Sequence, residues 1–146
     1  MLSWHKSRTF ETERRKLLFE SLDKYFDKQN GFSKSKYINI CMQLGEKPDP
    51  KRMPIDFSDF PPLVRDAIEI FNRLGDRYTS TDLGPLYIGK DISTLDFLYN
   101  IYEIHDVEDR KLTLEIVQHL DSKIVKQAVS KWKTEAKKLK AKAKHH

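Results

Sequence analysis

Apolar residues recur along this chain mostly at helical rather than strand spacing. Leu18, Leu22, Tyr25 and Phe26, joined by Leu17 and Phe19, share one face, while Arg14, Arg15, Glu20, Asp23, Lys24 and Asp27 colour the other. The spacing predicts a first helix over about residues 12–29, stopped by Asn30-Gly31, since glycine accepts the left-handed conformation that ends helices. A second helix is expected from a Ser33 cap to Leu44, with Tyr37, Ile38, Cys41 and Met42 as its stripe and Gly45 as its stop. A third opens at Pro61-Pro62, carries Val64, Ala67, Ile68, Phe71 and Leu74 on one face, and ends at Gly75. A fourth, capped by Ser93 or Thr94, reaches about Glu103 with Leu95, Leu98, Tyr99 and Tyr102 inward. Asp106 caps a long fifth helix along which Leu112, Ile116, Val117, Leu120, Ile124, Ala128 and Trp132 line up. Past Trp132 only Leu139 and scattered alanines are apolar, so the last turns leave the core.

Two stretches break the period. Residues 46–62 hold Pro48, Pro50, Pro54, Pro61 and Pro62, five of the six prolines, with Met53, Ile55, Phe57 and Phe60 between them. Proline fixes φ and removes a donor, so this is an extended connector, and its apolar residues anchor it across the bundle. Residues 76–91 read as a polar loop punctuated by Gly and Pro, with Leu86-Tyr87-Ile88 forming a brief strand at most. The expected fold is therefore all-α: a single-domain bundle of about five helices over residues 1–130. A basic helical tail over 131–144 follows, and His145-His146 reads as a tag remnant.

Composition changes this picture in one respect. The chain has 146 residues and a formal charge of +5, but Lys131, Lys133, Lys137, Lys138, Lys140, Lys142 and Lys144 against Glu135 place +6 in the tail. The remainder carries −1. Such a tail is either a solvated helix end or an electrostatic arm for an anionic partner. It has lysine without arginine and one aromatic, Trp132, so any attraction for nucleic acid is non-specific. The helix pair around Gly31 has the turn length of a helix-turn-helix, with Lys34, Lys36, Asn39 and Gln43 outward on its second helix.

Chemical constellations are sparse. A single cysteine excludes an intramolecular disulfide, and Cys41 suits a small core position. His5, His105 and His119 remain once the terminal pair is set aside; Glu115 and His119, four apart, fall short of a zinc ligand set. Gly89-Lys90-Asp91 lacks the other elements of a phosphate loop, and no Gly-x-Ser-x-Gly elbow is present. No catalytic residue, cofactor or metal is expected. The apolar runs fall well short of the roughly 20 residues that span a bilayer, and Met1–Lys6 lacks the apolar core of a secretion signal, so the expected location is cytoplasmic.

Ser93-Thr94-Leu95-Asp96-Phe97-Leu98-Tyr99 resembles the peptide with which the DNA polymerase and late transcription factors of T4-type bacteriophages grip their sliding clamp. The resemblance covers these residues alone and implies that Leu95, Phe97 and Leu98 plug a partner's pocket, in a phage accessory protein working in a host cytoplasm. Independently of it, eight Phe, six Tyr and two Trp are more than one small core hides. They point to a non-catalytic interaction protein, an adaptor, assembly factor or regulatory accessory subunit, that binds another protein or itself and no membrane. Candidate contacts are Trp4 and Phe10 ahead of the first helix, and Tyr78 and Tyr87 in the long loop. The alternative is a nucleic-acid-associated protein using the lysine tail and the helix pair around Gly31.

Overall fold

The computed structural model describes residues 2–27 and 33–144, with side chains from residue 12 onward. Gly31, the turn of the helix pair around it and His145-His146 lie outside these residues, as do the side chains of Trp4 and Phe10. Five α-helices, one short 3-10 turn and one two-stranded hairpin form among the described residues. The chain divides into two compact units, Met1–Pro61 and Pro62–His146, where the hydrophobic pattern suggested one domain through residue 130.

The first unit contains α1 (Leu2–Asp27), α2 (Lys34–Leu44) and the 3-10 turn Phe57–Asp59. Helix α1 begins about ten residues before its apolar stripe, so Trp4 and Phe10 belong to the helix and do not precede it. No Pro or Gly interrupts that leading segment. Leu22 is fully buried, and Tyr25 meets Phe26 and Phe60 edge-on at 5.3 and 5.5 Å. The predicted caps of α2 are present. Ser33 Oγ accepts the Lys36 N–H at 3.2 Å, and Gly45 takes φ 67 while its N–H and that of Glu46 reach back to Met42 and Cys41. The connector is ordered by its own anchors: Pro54 and Phe60 are buried, Met53, Ile55 and Phe57 half-buried. Its Asp49 N–H donates to the Tyr37 hydroxyl at 3.2 Å, and Lys34 pairs with Asp59 at 3.0 Å.

The second unit holds α3 (Pro62–Arg73), strands β1 (Asp76–Thr81) and β2 (Gly84–Lys90), α4 (Leu95–Ile101) and α5 (Val107–Lys144). Its core is Val64, Ala67, Ile68, Ile70 and Phe71 from α3, Leu74 just after it, Leu95, Leu98 and Tyr99 from α4, Ile104, and Ile116, Val117 and Leu120 from α5. Helices α3 and α5 pack together, and β2 lies on α5.

The hairpin corrects the all-α expectation. Residues 76–81 are almost wholly exposed, so no alternation of apolar and polar residues marks them; Tyr and Thr supply strand propensity alone. Asp82 and Leu83 form the two-residue tip, and the register slips between Arg77 and Tyr78. Tyr78 lies opposite Tyr87 and Arg77 opposite Gly89, which leaves Ile88 as the extra residue of a bulge beside Gly89 at φ 134. Helix α4 ends by the same kind of motif as α2 with Glu103, φ 56, in the glycine position. The Glu103 and Ile104 N–H groups donate to Asn100 O and Tyr99 O at 3.2 and 2.8 Å. The predicted Asp106 cap of α5 accepts the Asp109 N–H at 3.1 Å. Arg110 then ties α5 to α4: its guanidinium reaches Ile104 O at 2.7 Å and Asn100 Oδ1 at 3.2 Å, and lies 5.2 Å from the centre of the Tyr99 ring.

Candidate functional site

Two features of the second unit concentrate polar chemistry and exposed apolar surface. The first is the seam between β2 and α5. Asp121 accepts the Tyr87 hydroxyl at 2.6 Å and the Lys90 N–H at 3.1 Å on both carboxylate oxygens. A Cβ on Gly89 would stand 3.1 Å from the same carboxylate, so glycine there permits the close approach as well as the positive φ. Burial, then the hydrogen bond to Asp121 and its charge, holds the Tyr87 hydroxyl well above its ordinary range. Lys90 Nζ bonds Asp76 at 2.6 Å and Leu74 O at 3.3 Å and stands 4.8 Å from the Phe71 ring centre. Asp121 thus fastens the hairpin to α5, while Lys90 Nζ ties the hairpin's two strands to each other and to the end of α3.

The second feature is a groove at the hairpin tip. Asp82 and Leu83 form one wall and Trp132, Lys133, Ala136, Lys137, Leu139 and Lys140 of α5 the other, around about 440 Å³. Thr81 builds it. Its Oγ1 accepts the Trp132 indole N–H at 3.1 Å and the Leu83 N–H at 3.2 Å, and donates to Gly84 O at 2.6 Å. The indole is thereby tied to the tip while Leu83 and Leu139 stay exposed. Helical spacing places Lys133, Lys137, Lys140 and Lys144 along one edge of α5, and all seven tail lysines are exposed. Lys138 lies 3.7 Å from Glu135. The floor is apolar and the rim cationic.

The residues singled out by sequence fall in different places. Leu95 and Leu98 are buried at 8% and 9% exposure, because they are the inward positions of α4, whereas Phe97 is 64% exposed. The expectation that Leu95 and Leu98 plug a partner's pocket is therefore corrected: they are core residues, and of the motif's apolar and aromatic side chains Phe97 alone is offered outward. Tyr87 is half-buried and committed to Asp121; Tyr78 is exposed and meets the Tyr87 ring edge-on at 5.9 Å. Lys34 is spent on Asp59, and Lys36 lies in the first turn of α2. Trp4 and Phe10 lie where no side chain is described. Glu115 and His119 are half-buried, His105 is exposed, and no three His, Cys, Asp or Glu side chains gather to hold a metal among the described residues. No described helix is long and apolar enough to cross a membrane.

Asp121, Thr81 and Leu83 went unmarked in the sequence. Asp121 meets partners more than 30 residues away, and no local spacing announces such a pairing. The one available signal was Trp132, an aromatic on a helix whose stripe was otherwise running out. No protein-family model matches the chain, and no curated protein or solved structure does either.

Proposed function

We propose that this is a non-catalytic interaction protein, an adaptor, assembly factor or accessory subunit whose working surface is the groove between the hairpin tip and the end of α5. The observation that carries the reading is the Trp132–Leu83–Leu139 floor, held in shape by Thr81 and left uncovered. A preformed apolar floor with a charged rim is how protein-binding surfaces combine burial at the centre with steering at the edge. A photo-crosslinking amino acid at Leu83 or Leu139, in the cell that makes the protein, should yield a defined protein adduct that the same label at Lys126 does not. Equal labelling from all three positions would sink the reading.

One observation supports a second reading, a nucleic-acid-associated protein: the exposed lysines form a row along α5, the arrangement a phosphate-tracking face would need. It requires retention on DNA or RNA at ~50 mM salt that falls steeply by ~200 mM. Retention must also vanish when Lys133, Lys137 and Lys140 become Gln. If no retention is seen at low salt, this reading fails.

A further inference from the structure

The lysine rim has a counterpart at the other end of the same unit. From Asp91 to Asp109 the chain has six acids, Asp91, Asp96, Glu103, Asp106, Glu108 and Asp109, and no Lys or Arg. All six are exposed. Among them stand Ile92, Phe97, Ile101 and Val107, apolar side chains that the fold leaves outside. Phe97 and Ile101, four apart, share one face of α4. Arg110 and Lys111 close the stretch and pair with Asp96 and Glu108 at 3.4 Å each, leaving −4 over residues 91–111. This shoulder is an acidic surface with apolar knobs; the groove is an apolar surface with a cationic rim.

The two cannot meet within one molecule. Arg110 fixes α4 to the start of α5, and the helix runs unbroken from there past Lys133 to Lys144. At ~1.5 Å per residue the shoulder and the rim stand about 35 Å apart. That is several times the ~8 Å screening length at physiological salt, so neither pole neutralises the other in place.

We infer that the groove takes a second copy of this chain: the shoulder around Phe97 and Ile101 of one copy seats against the Trp132–Leu83–Leu139 floor of another, with its carboxylates on Lys133, Lys137 and Lys140. Two copies with their α5 helices antiparallel make this contact twice and close as a twofold pair, the commonest symmetric assembly. A nucleic acid fits the floor less well, since one indole among Leu83, Ala136 and Leu139 gives successive bases no series of rings to stack on. The inference deepens the interaction reading above by naming the partner.

Charge exchange tests the contact on the full chain. Variant A carries Lys133→Glu, Lys137→Glu and Lys140→Glu; variant B carries Asp96→Lys and Glu108→Lys, all exposed positions whose folding is checked by circular dichroism. The wild type should sediment as a dimer at low salt and dissociate toward monomer as salt rises. A alone and B alone should each associate at least about tenfold more weakly, because A then sets acids against the acidic shoulder and B takes the shoulder from −4 to zero and puts lysines opposite the lysine rim. An equimolar mixture of A and B should recover dimer, since one contact of the mixed pair is then the unaltered one and the other sets the new glutamates of A opposite the new lysines of B. A wild type that stays monomeric at ~50 mM salt overturns the inference, and so does a mixture no more associated than its components. Either result leaves the interaction reading to the crosslinking experiment, which can return an adduct of a different protein. Dimer recovery with no self-adduct from Leu83 or Leu139 would place the contact away from the groove and overturn the inference as well.

Discussion

Glu103 sits at φ 56, a conformation in which an L-residue's Cβ crowds the following carbonyl by about 1–2 kcal/mol. The position is nevertheless held, because the Glu103 and Ile104 N–H groups close the α4 terminus and Ile104 is buried against the core. Glycine removes the crowding and gives back part of the gain as unfolded-chain entropy. Glu103→Gly should therefore stabilise the chain by about 0.5–1 kcal/mol, read as a higher urea midpoint at unchanged slope. Gly89 is the opposite case: at φ 134 and against Asp121, Gly89→Ala should destabilise by about 1–3 kcal/mol in the same measurement. Its neighbour Tyr87 carries a pH signature. The fold holds this hydroxyl protonated by burial and by the Asp121 charge, so its folded pKa lies above the unfolded value near 10. Below pH ~10 both states keep the proton and the Tyr87 contribution is complete; as pH rises beyond, the unfolded chain ionises first and stability falls. Tyr87→Phe should cost about 1–2 kcal/mol at neutral pH and show a shallower loss between about pH 10 and pH 12. Equal slopes for the two proteins would refute the assignment.

At the level of elements, legibility followed burial. Helix α3 was plain in the sequence because Val64, Ala67, Ile68 and Phe71 all turn to one buried side, and the Ser33, Gly45 and Asp106 caps were plain because capping is local chemistry. The hairpin was hidden for the converse reason. Strand β1 has no inward face to print a period of two, and β2 is held by Asp121 from a helix more than 30 residues on. In helix α4 two patterns coincide: Leu95 and Leu98 match a docking peptide and also the inward positions of a short helix, and the fold uses them inward. The groove depends on a single hydroxyl that no pattern marks. Thr81→Val keeps the shape and removes Oγ1, leaving the Trp132 and Leu83 N–H groups without their acceptor. In a Trp4→Phe background, where Trp132 reports alone, the emission should shift red and stability fall by about 1–2 kcal/mol. An unchanged spectrum would mean that the indole is held by packing alone.

At the scale of the whole molecule, the near-neutral remainder seen in the sequence is an average over unlike parts. Residues 1–61 have 12 bases and nine acids, +3, whereas residues 62–130 have eight bases and 12 acids, −4, followed by the +6 of residues 131–144. The second unit is thus a dipolar body, with its negative charge concentrated around α4 and its positive charge along the end of α5. Its packing is also its own. Helix α3 lies on α5, β2 lies on α5, and Arg110 and Asp121 fasten α4 and the hairpin to that same helix. A body of roughly this size buries enough of its surface to stand alone, and a helix serving as the common partner of all the rest makes its folding cooperative. Residues 62–144 expressed by themselves should therefore unfold in urea in a single sigmoidal transition, with circular dichroism and Trp132 fluorescence superimposed. Separate transitions for the two probes, or a gradual loss without a midpoint, would show that the second unit needs residues 1–61 to fold. Because the shoulder and the groove both lie within residues 62–144, that fragment should also keep whatever salt-sensitive association the full chain has. Keeping the fold while losing the association would place the contact in the first unit instead.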